Sequence, residues 1–225
     1  MLERLSETRR RRLVSAILQT LAIYPSARRP RRIVTVSGRG VRGIFPSRKA
    51  GESAKFESLV EEMALRFLEV APLVKSIKTQ PHVFEYLDGS RKRRYTPDVA
   101  IETLDGVSFL EVKDDETLTT DSEEVERIKA AVRYFRPRGG RLHIVLRADL
   151  IADDLQRRLE LLLRERPLRG RYRANIDATL WDPERSTVPS ADVQRQWQDA
   201  QRQCDDLLGR IMKRDPDDLL PVLPR

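Results

Sequence analysis

Thr96-Pro97-Asp98, followed after a Gly-containing turn by Leu110-Glu111-Val112-Lys113, is the stretch on which the reading of this 225-residue chain turns. Asp105-Gly106 is a hairpin signal, and the run after it alternates apolar and charged residues. Side chains alternate along a strand, so Leu110 and Val112 share one face while Glu111 and Lys113 share the other. One short segment thereby packs a core and presents two charges together. Pro97 restricts Thr96 to extended conformations, which suits a strand that delivers Asp98 at its bend. Asp98 and Glu111 then become neighbours on adjacent strands. Asp98 and Glu111 offer carboxylate oxygens, and the Val112 carbonyl offers a neutral one. Lys113 offers a cation for a water or a phosphate oxygen. Metal-assisted phosphodiester hydrolysis needs these parts. A surface strand with a Glu111–Lys113 ion pair is the plainer reading of the same residues.

Upstream, Phe56, Leu59, Val60, Met63, Ala64, Phe67 and Leu68 form a helical apolar stripe that Pro72 ends. Glu57 and Glu61 lie one turn apart on its flank, and either can supply a further carboxylate. Val83, Phe84 and Tyr86 predict a strand that returns through Asp88-Gly89 as Arg91 to Thr96. Asp98 to Thr103 is expected as an extended continuation. Downstream, Val125, Ile128, Val132 and Phe135 predict a helix over 122–135. Leu142, Ile144 and Leu146 predict a strand, and residues 151–165 a helix. This order implies an α/β fold, a mixed sheet with helices on its faces. Ser190 caps a further helix whose stripe holds Val193, Trp197, Ala200, Cys204, Leu207 and Ile211. A helix over 9–24 and a strand near Ile176 are also expected, and the tail from Pro216 is expected to be mobile.

Hydrophobic residues make up 40% of the chain, enough for a core, and charged residues 35%. No run approaches the ~18 apolar residues of a membrane span. No secretory signal pattern opens the chain, so a cytoplasmic, bacterial setting is expected. A single cysteine, Cys204, excludes an internal disulfide framework and a multi-cysteine zinc site. Cys204, Trp181 and Trp197 read as packing residues, and His82 and His143 lack ligand spacing. Residues 1–49 hold 13 Lys/Arg against 2 Asp/Glu, a surplus larger than the chain's +8, so the remainder is net acidic. Arg9, Arg10, Arg11 and Arg12 fall on a first helical turn, where the helix dipole disfavours cations. Such an arm suits phosphate contact and salt-sensitive nucleic-acid binding, a solvated tail being the alternative. Arg48, Lys49 and Arg93, the last within Lys92-Arg93-Arg94, are further candidates for DNA contact. The expected organisation is a basic helix and connector over 1–49, an endonuclease core over 50–150 and a helical region over 151–225.

Ser47-Arg48-Lys49, Phe56-Glu57-Ser58-Leu59-Val60-Glu61, Thr79-Gln80-Pro81, Tyr95-Thr96-Pro97-Asp98 and Glu111-Val112-Lys113 follow in one order and spacing. Together they resemble the N-terminal endonuclease domain of the TnsA family, subunits of heteromeric transposases. The resemblance covers residues 38–148 and implies a restriction-endonuclease-like fold. It implies a magnesium- or manganese-dependent endodeoxyribonuclease that nicks DNA at transposon ends. The nick falls on the strand opposite the one cut by a DDE-type transposase partner, and an AAA ATPase serves as regulator. By position it implies Glu61, Asp98, Glu111 and Lys113 as the catalytic set, and favours Glu61 over Glu57 beside the metal. A glutamine often stands where Glu111 stands here. Two other readings compete: a stand-alone restriction or repair nuclease of the same fold, and a non-catalytic DNA-binding or assembly subunit.

Overall fold

The computed structural model describes residues 41–165 and 191–221. The helix expected over 9–24, the Arg9, Arg10, Arg11 and Arg12 run, Ile176 and Trp181 lie outside the described residues. In chain order the elements are β1 (Gly43–Phe45), β2 (Ala54–Phe56), α1 (Leu59–Val70), β3 (Ser76–Thr79), β4 (Phe84–Asp88), β5 (Arg91–Tyr95), β6 (Val99–Thr103) and β7 (Gly106–Lys113). They continue with α2 (Asp115–Thr120), α3 (Ser122–Phe135), β8 (Leu142–Leu146), α4 (Arg147–Ile151), α5 (Leu155–Glu165) and α6 (Ala191–Lys213).

β6 and β7 form the hairpin that the alternation predicts, and Gly106 turns it at φ 103°, a conformation that costs glycine little. β3 joins β6 antiparallel and β8 joins β7 parallel, giving a mixed sheet in the order β3-β6-β7-β8. A parallel neighbour needs a crossover, which α2 and α3 supply. Leu110 and Val112 join Val99, Ile101, Ile77 and Val145 on one face, under α1. Val107 and Phe109 join Leu142 and Ile144 on the other, under α3. β7 is therefore the central strand, covered on both sides.

α1 opens at Ser58, whose hydroxyl accepts the Glu61 N–H at 3.1 Å. It begins three residues later than the stripe suggests, because Phe56 pairs in the β1–β2 ribbon instead. Leu65, Phe67 and Leu68 are fully buried, each stabilising the fold by about 1.5–3 kcal/mol. β4 and β5 pair with each other through Gly89, at φ 62°. β6 does not continue that ribbon as expected. The chain leaves it at Thr96-Pro97, where proline has no N–H to extend a ladder, and enters the larger sheet. The ribbon packs on α3 through aromatic edges: Phe84 lies 4.9 Å from Phe135 and Tyr86 stacks on Tyr134 at 4.5 Å, centroid to centroid.

α5 and α6, expected as a region of their own, share the core of α1 through Leu159, Leu162, Trp197, Cys204, Leu208 and Ile211. Burial pushes the Cys204 thiol up to about 12, consistent with a packing role. The tail beyond Pro216 corrects an expectation. Arg136 pairs with Asp215 at 2.5 Å and with Asp217 at 2.7 Å, and Leu220 is buried against α3's side of the sheet. Those contacts dock residues 216–220 of the segment expected to move, and residues 222–225 lie outside the described residues. No described helix is long and apolar enough to cross a membrane. The architecture is mixed α/β with helices flanking the sheet, as restriction-endonuclease-like folds have.

Candidate active site

The start of β6, the end of β7 and the first turns of α1 and α3 converge on one cluster of charges. Asp98 Oδ2 accepts the Val112 N–H at 2.8 Å, so adjacent strands hold its carboxylate in place. Lys113 Nζ sits 4.0 Å from that oxygen, 2.9 Å from Glu111 Oε1 and 3.1 Å from Glu124 Oε1. Glu61 comes from the first turn of α1, close enough that its charge acts on Asp98 and feels Lys113. Glu57 does not figure among the charges acting most on Asp98. The structure thus brings together Glu61, Asp98, Glu111 and Lys113. The Gln80 N–H donates to the Asp98 carbonyl at 2.8 Å, with Gln80 itself at φ 44°, so a left-handed residue fixes the backbone on which Asp98 sits.

Alternation places Glu111 and Lys113 on one face, but that face is not open to solvent. Glu111 is completely buried beneath α3. Its Oε2 accepts the Tyr95 hydroxyl at 2.5 Å, and its Oε1 accepts Arg127 Nη2 at 2.7 Å as well as Lys113. Arg127 also grips Glu124 at 2.6 Å and lies 5.0 Å over the Tyr95 ring. Buried charges persist only when paired and hydrogen-bonded, and here each is. Tyr95, Glu124 and Arg127 are the residues that sequence reasoning missed.

The electrostatics follow from this packing. Burial, then the charges of Glu111 and Glu61, hold the Asp98 carboxyl well above the usual carboxylate range, against Lys113 and the Val112 N–H. Burial also raises Glu61, opposed by the Glu57 N–H and the Ser58 hydroxyl. Burial works against the Lys113 ammonium, but Glu111, Asp98 and Glu124 outweigh it and raise its pKa. For Glu124 burial is likewise overcome, chiefly by Arg127, which brings it down to about 2. Four carboxylates face two cations, and Asp98 carries the strain of the surplus.

A divalent cation is the group that the family resemblance implies, and the donor set suits one. It offers carboxylate oxygens, which hard cations prefer, and an excess of buried negative charge. Among the described residues, no three acidic, histidine or cysteine side chains stand ready as a ligand set. The geometry gives the reason. Lys113 stands among the carboxylates, and Glu61 turns back on its own helix end, accepting the Glu57 N–H at 2.8 Å. Burial lowers His82 and His143 each to about 4 and keeps both imidazoles neutral.

Two of the cations expected at DNA, Lys49 and Arg93, turn toward the protein instead. Lys49 is buried, and its ammonium donates to the Leu68 and Ala71 carbonyls at 2.8 and 2.5 Å, closing the end of α1. Its expected exposure to phosphate is corrected by that position. The Arg48 N–H donates to Glu69 Oε1 at 2.8 Å, and the Ser47 hydroxyl to Glu69 Oε2 at 2.6 Å. Ser47-Arg48-Lys49 is therefore a brace on α1. Arg93 faces α3 and pairs with Asp88 at 2.8 Å, where Arg133 also arrives at 3.2 Å. Lys49→Met is expected to cost about 1–3 kcal/mol by orphaning buried carbonyls. Urea unfolding measures that cost, and salt-dependent DNA binding should not move; a shift in the salt slope would return Lys49 to the DNA side.

No curated protein matches the chain. A family model does match a segment that holds Asp98, Glu111 and Lys113 but begins after Glu61. That segment, residues 71–147, is similar to the family described as TnsA-like endonuclease N terminal.

Proposed function

We propose that this chain is a magnesium- or manganese-dependent DNA endonuclease subunit of a TnsA-like transposase. In this reading it nicks transposon ends on the strand opposite the one cut by a DDE-type transposase partner, under an AAA ATPase regulator. One observation carries the reading: Asp98, Glu111 and Lys113 meet within hydrogen-bonding or ion-pair reach at the ends of adjacent strands, beside Glu61. Asp98 and the Val112 carbonyl, with Glu61 and Glu111 once they exchange their present partners, are the oxygens that would hold a divalent cation. When bound, the cation lowers the pKa of a water and offsets charge on the phosphate.

The chain's own residues do the rest. Asp98 is fixed by the Val112 N–H and the Gln80 brace, so its oxygens need no reorganisation. Lys113 keeps its proton through the reaction, because its carboxylate partners raise its pKa, and it supplies a fixed positive charge to a phosphate oxygen or to the attacking water. Glu111, itself paired with Arg127, holds Lys113 from below, and Glu124 holds it from α3. The test is nicking of transposon-end DNA by the chain together with its partner transposase and magnesium. A nick on one defined strand supports the reading. Fixed-site cleavage without the partner points to a stand-alone nuclease instead.

A further inference from the structure

We propose that the β4–β5 hairpin is a wing that grips the DNA backbone next to the scissile bond, through Lys92 and Arg94 rather than Arg93. The inference rests on the nuclease reading and adds to it where the substrate lies.

The run Arg91-Lys92-Arg93-Arg94 is a single block of charge in sequence, and the strand register divides it. Tyr86 faces Arg93 and Phe84 faces Tyr95, so this side of the ribbon packs on α3. Arg93 spends its charge there on Asp88. Glu85 faces Arg94 and Leu87 faces Lys92 on the opposite side. Arg94 is exposed, and the Lys92 side chain is 70% exposed, with its ammonium 3.4 Å from Glu85. An exposed pair of that kind stabilises little and exchanges readily for a phosphate. Arg91 stands exposed at the tip.

The hairpin pairs with no other strand among the described residues. Leu87, 72% exposed, is the large apolar side chain on its outer face. One leucine among cations does not make an apolar docking surface, whereas two or three cations along an extended strand suit backbone phosphates. The base of the wing is tied to the site, because Tyr95 at the end of β5 bonds the buried Glu111. Arg94 lies four residues before Asp98, so at most about 14 Å of chain separates their backbones. That span corresponds to about four base pairs of duplex at a rise of 3.4 Å each. Phosphates flanking a scissile bond held at Asp98 therefore fall within reach of Arg94, and those further out within reach of Lys92.

The experiment is fluorescence anisotropy of the full chain on a labelled duplex of about 30 base pairs, titrated with KCl in EDTA so that nothing is cut. Each lost phosphate contact lowers the slope of log K against log salt by about 0.9. Lys92→Gln/Arg94→Gln should flatten the slope by about 2 and weaken binding about 10-fold or more at moderate salt, and Lys92→Glu/Arg94→Glu should weaken it further. Thermal melts should match wild type, since both side chains are exposed. Arg93→Gln should lower the melting temperature and leave the slope nearly unchanged. An unchanged slope in both double variants, or a wild-type chain that does not bind the duplex at low salt, overturns the proposal. Loss of transposase binding with the slope intact also overturns it and makes the wing a protein contact. Nicking assays keep the two readings apart. A chain that never nicks, yet loses slope with the wing, fails only as a nuclease.

Discussion

Asp98→Ala is expected to abolish the proposed nicking of the transposon end, by on the order of 10³-fold or more, and to leave association with the proposed transposase partner intact. The magnitude follows from position. Asp98 is the carboxylate on which the charges of Glu111, Glu61 and Lys113 all act, and a backbone N–H and a neighbouring strand hold it rigid. Removing it takes away an oxygen donor that no neighbour replaces. Glu111 is engaged by Tyr95, Arg127 and Lys113, and Glu61 is turned onto its own helix end. The fold should tolerate the change. The lost hydrogen bond to Val112 is worth about 1 kcal/mol, and a half-buried carboxyl held above its usual range is already a cost to the native state. Equal nicking by Asp98→Ala and wild type, measured by strand-specific gel in the complete transposition mixture, would remove Asp98 from the site.

Arg127→Leu has the largest expected effect on stability, a loss of about 3 kcal/mol, because it takes one cation from the fully buried Glu111. For a chain of this size that corresponds to a melting temperature lower by roughly 6–12 °C. Lys113 and the Tyr95 hydroxyl remain on Glu111, which keeps the loss below that of a wholly unpaired charge. Arg127→Leu with Glu111→Gln should recover part of the stability, since the second change removes the charge that the first leaves uncompensated. A double-mutant cycle by thermal melts reads the coupling. Independent, additive losses would show that Arg127 and Glu111 do not support one another.

The central hairpin was legible because it obeys a period of two: Leu110 and Val112 go to one core, and Glu111 and Lys113 oppose them. The α3 helix was legible with its ends, since Val125, Ile128, Val132 and Phe135 repeat at helical spacing. What the pattern withheld is which polar flank of α3 meets the sheet. Glu124 and Arg127 sit three apart on an ordinary charged flank, and only the parallel crossover onto β8 brings them over Glu111. Tyr95 stood next to the decisive stretch but looked like one more strand aromatic. The signal that could have found it is its parity, which places it on the α3 side with Arg93. Lys49 is hidden from the pattern for a related reason. In sequence a basic residue after Ser47-Arg48 looks solvent-facing, whereas the end of α1 needs a donor for its carbonyls and recruits that ammonium. In sequence Pro97 reads as a bend within one extended run, whereas it is the point where the chain changes sheets.

Titration calorimetry of the wild-type chain with manganese, repeated on Asp98→Asn, tests the central claim most directly. Burial and neighbouring carboxylates keep a proton on Asp98 to higher pH than usual, so cation binding must displace it. Binding should therefore tighten as pH rises, release a proton visible as a buffer-dependent heat, and vanish in Asp98→Asn. A wild-type chain that takes up no manganese at any pH, or an Asp98→Asn chain that binds it equally well, would contradict a hydrated cation held by these acidic side chains.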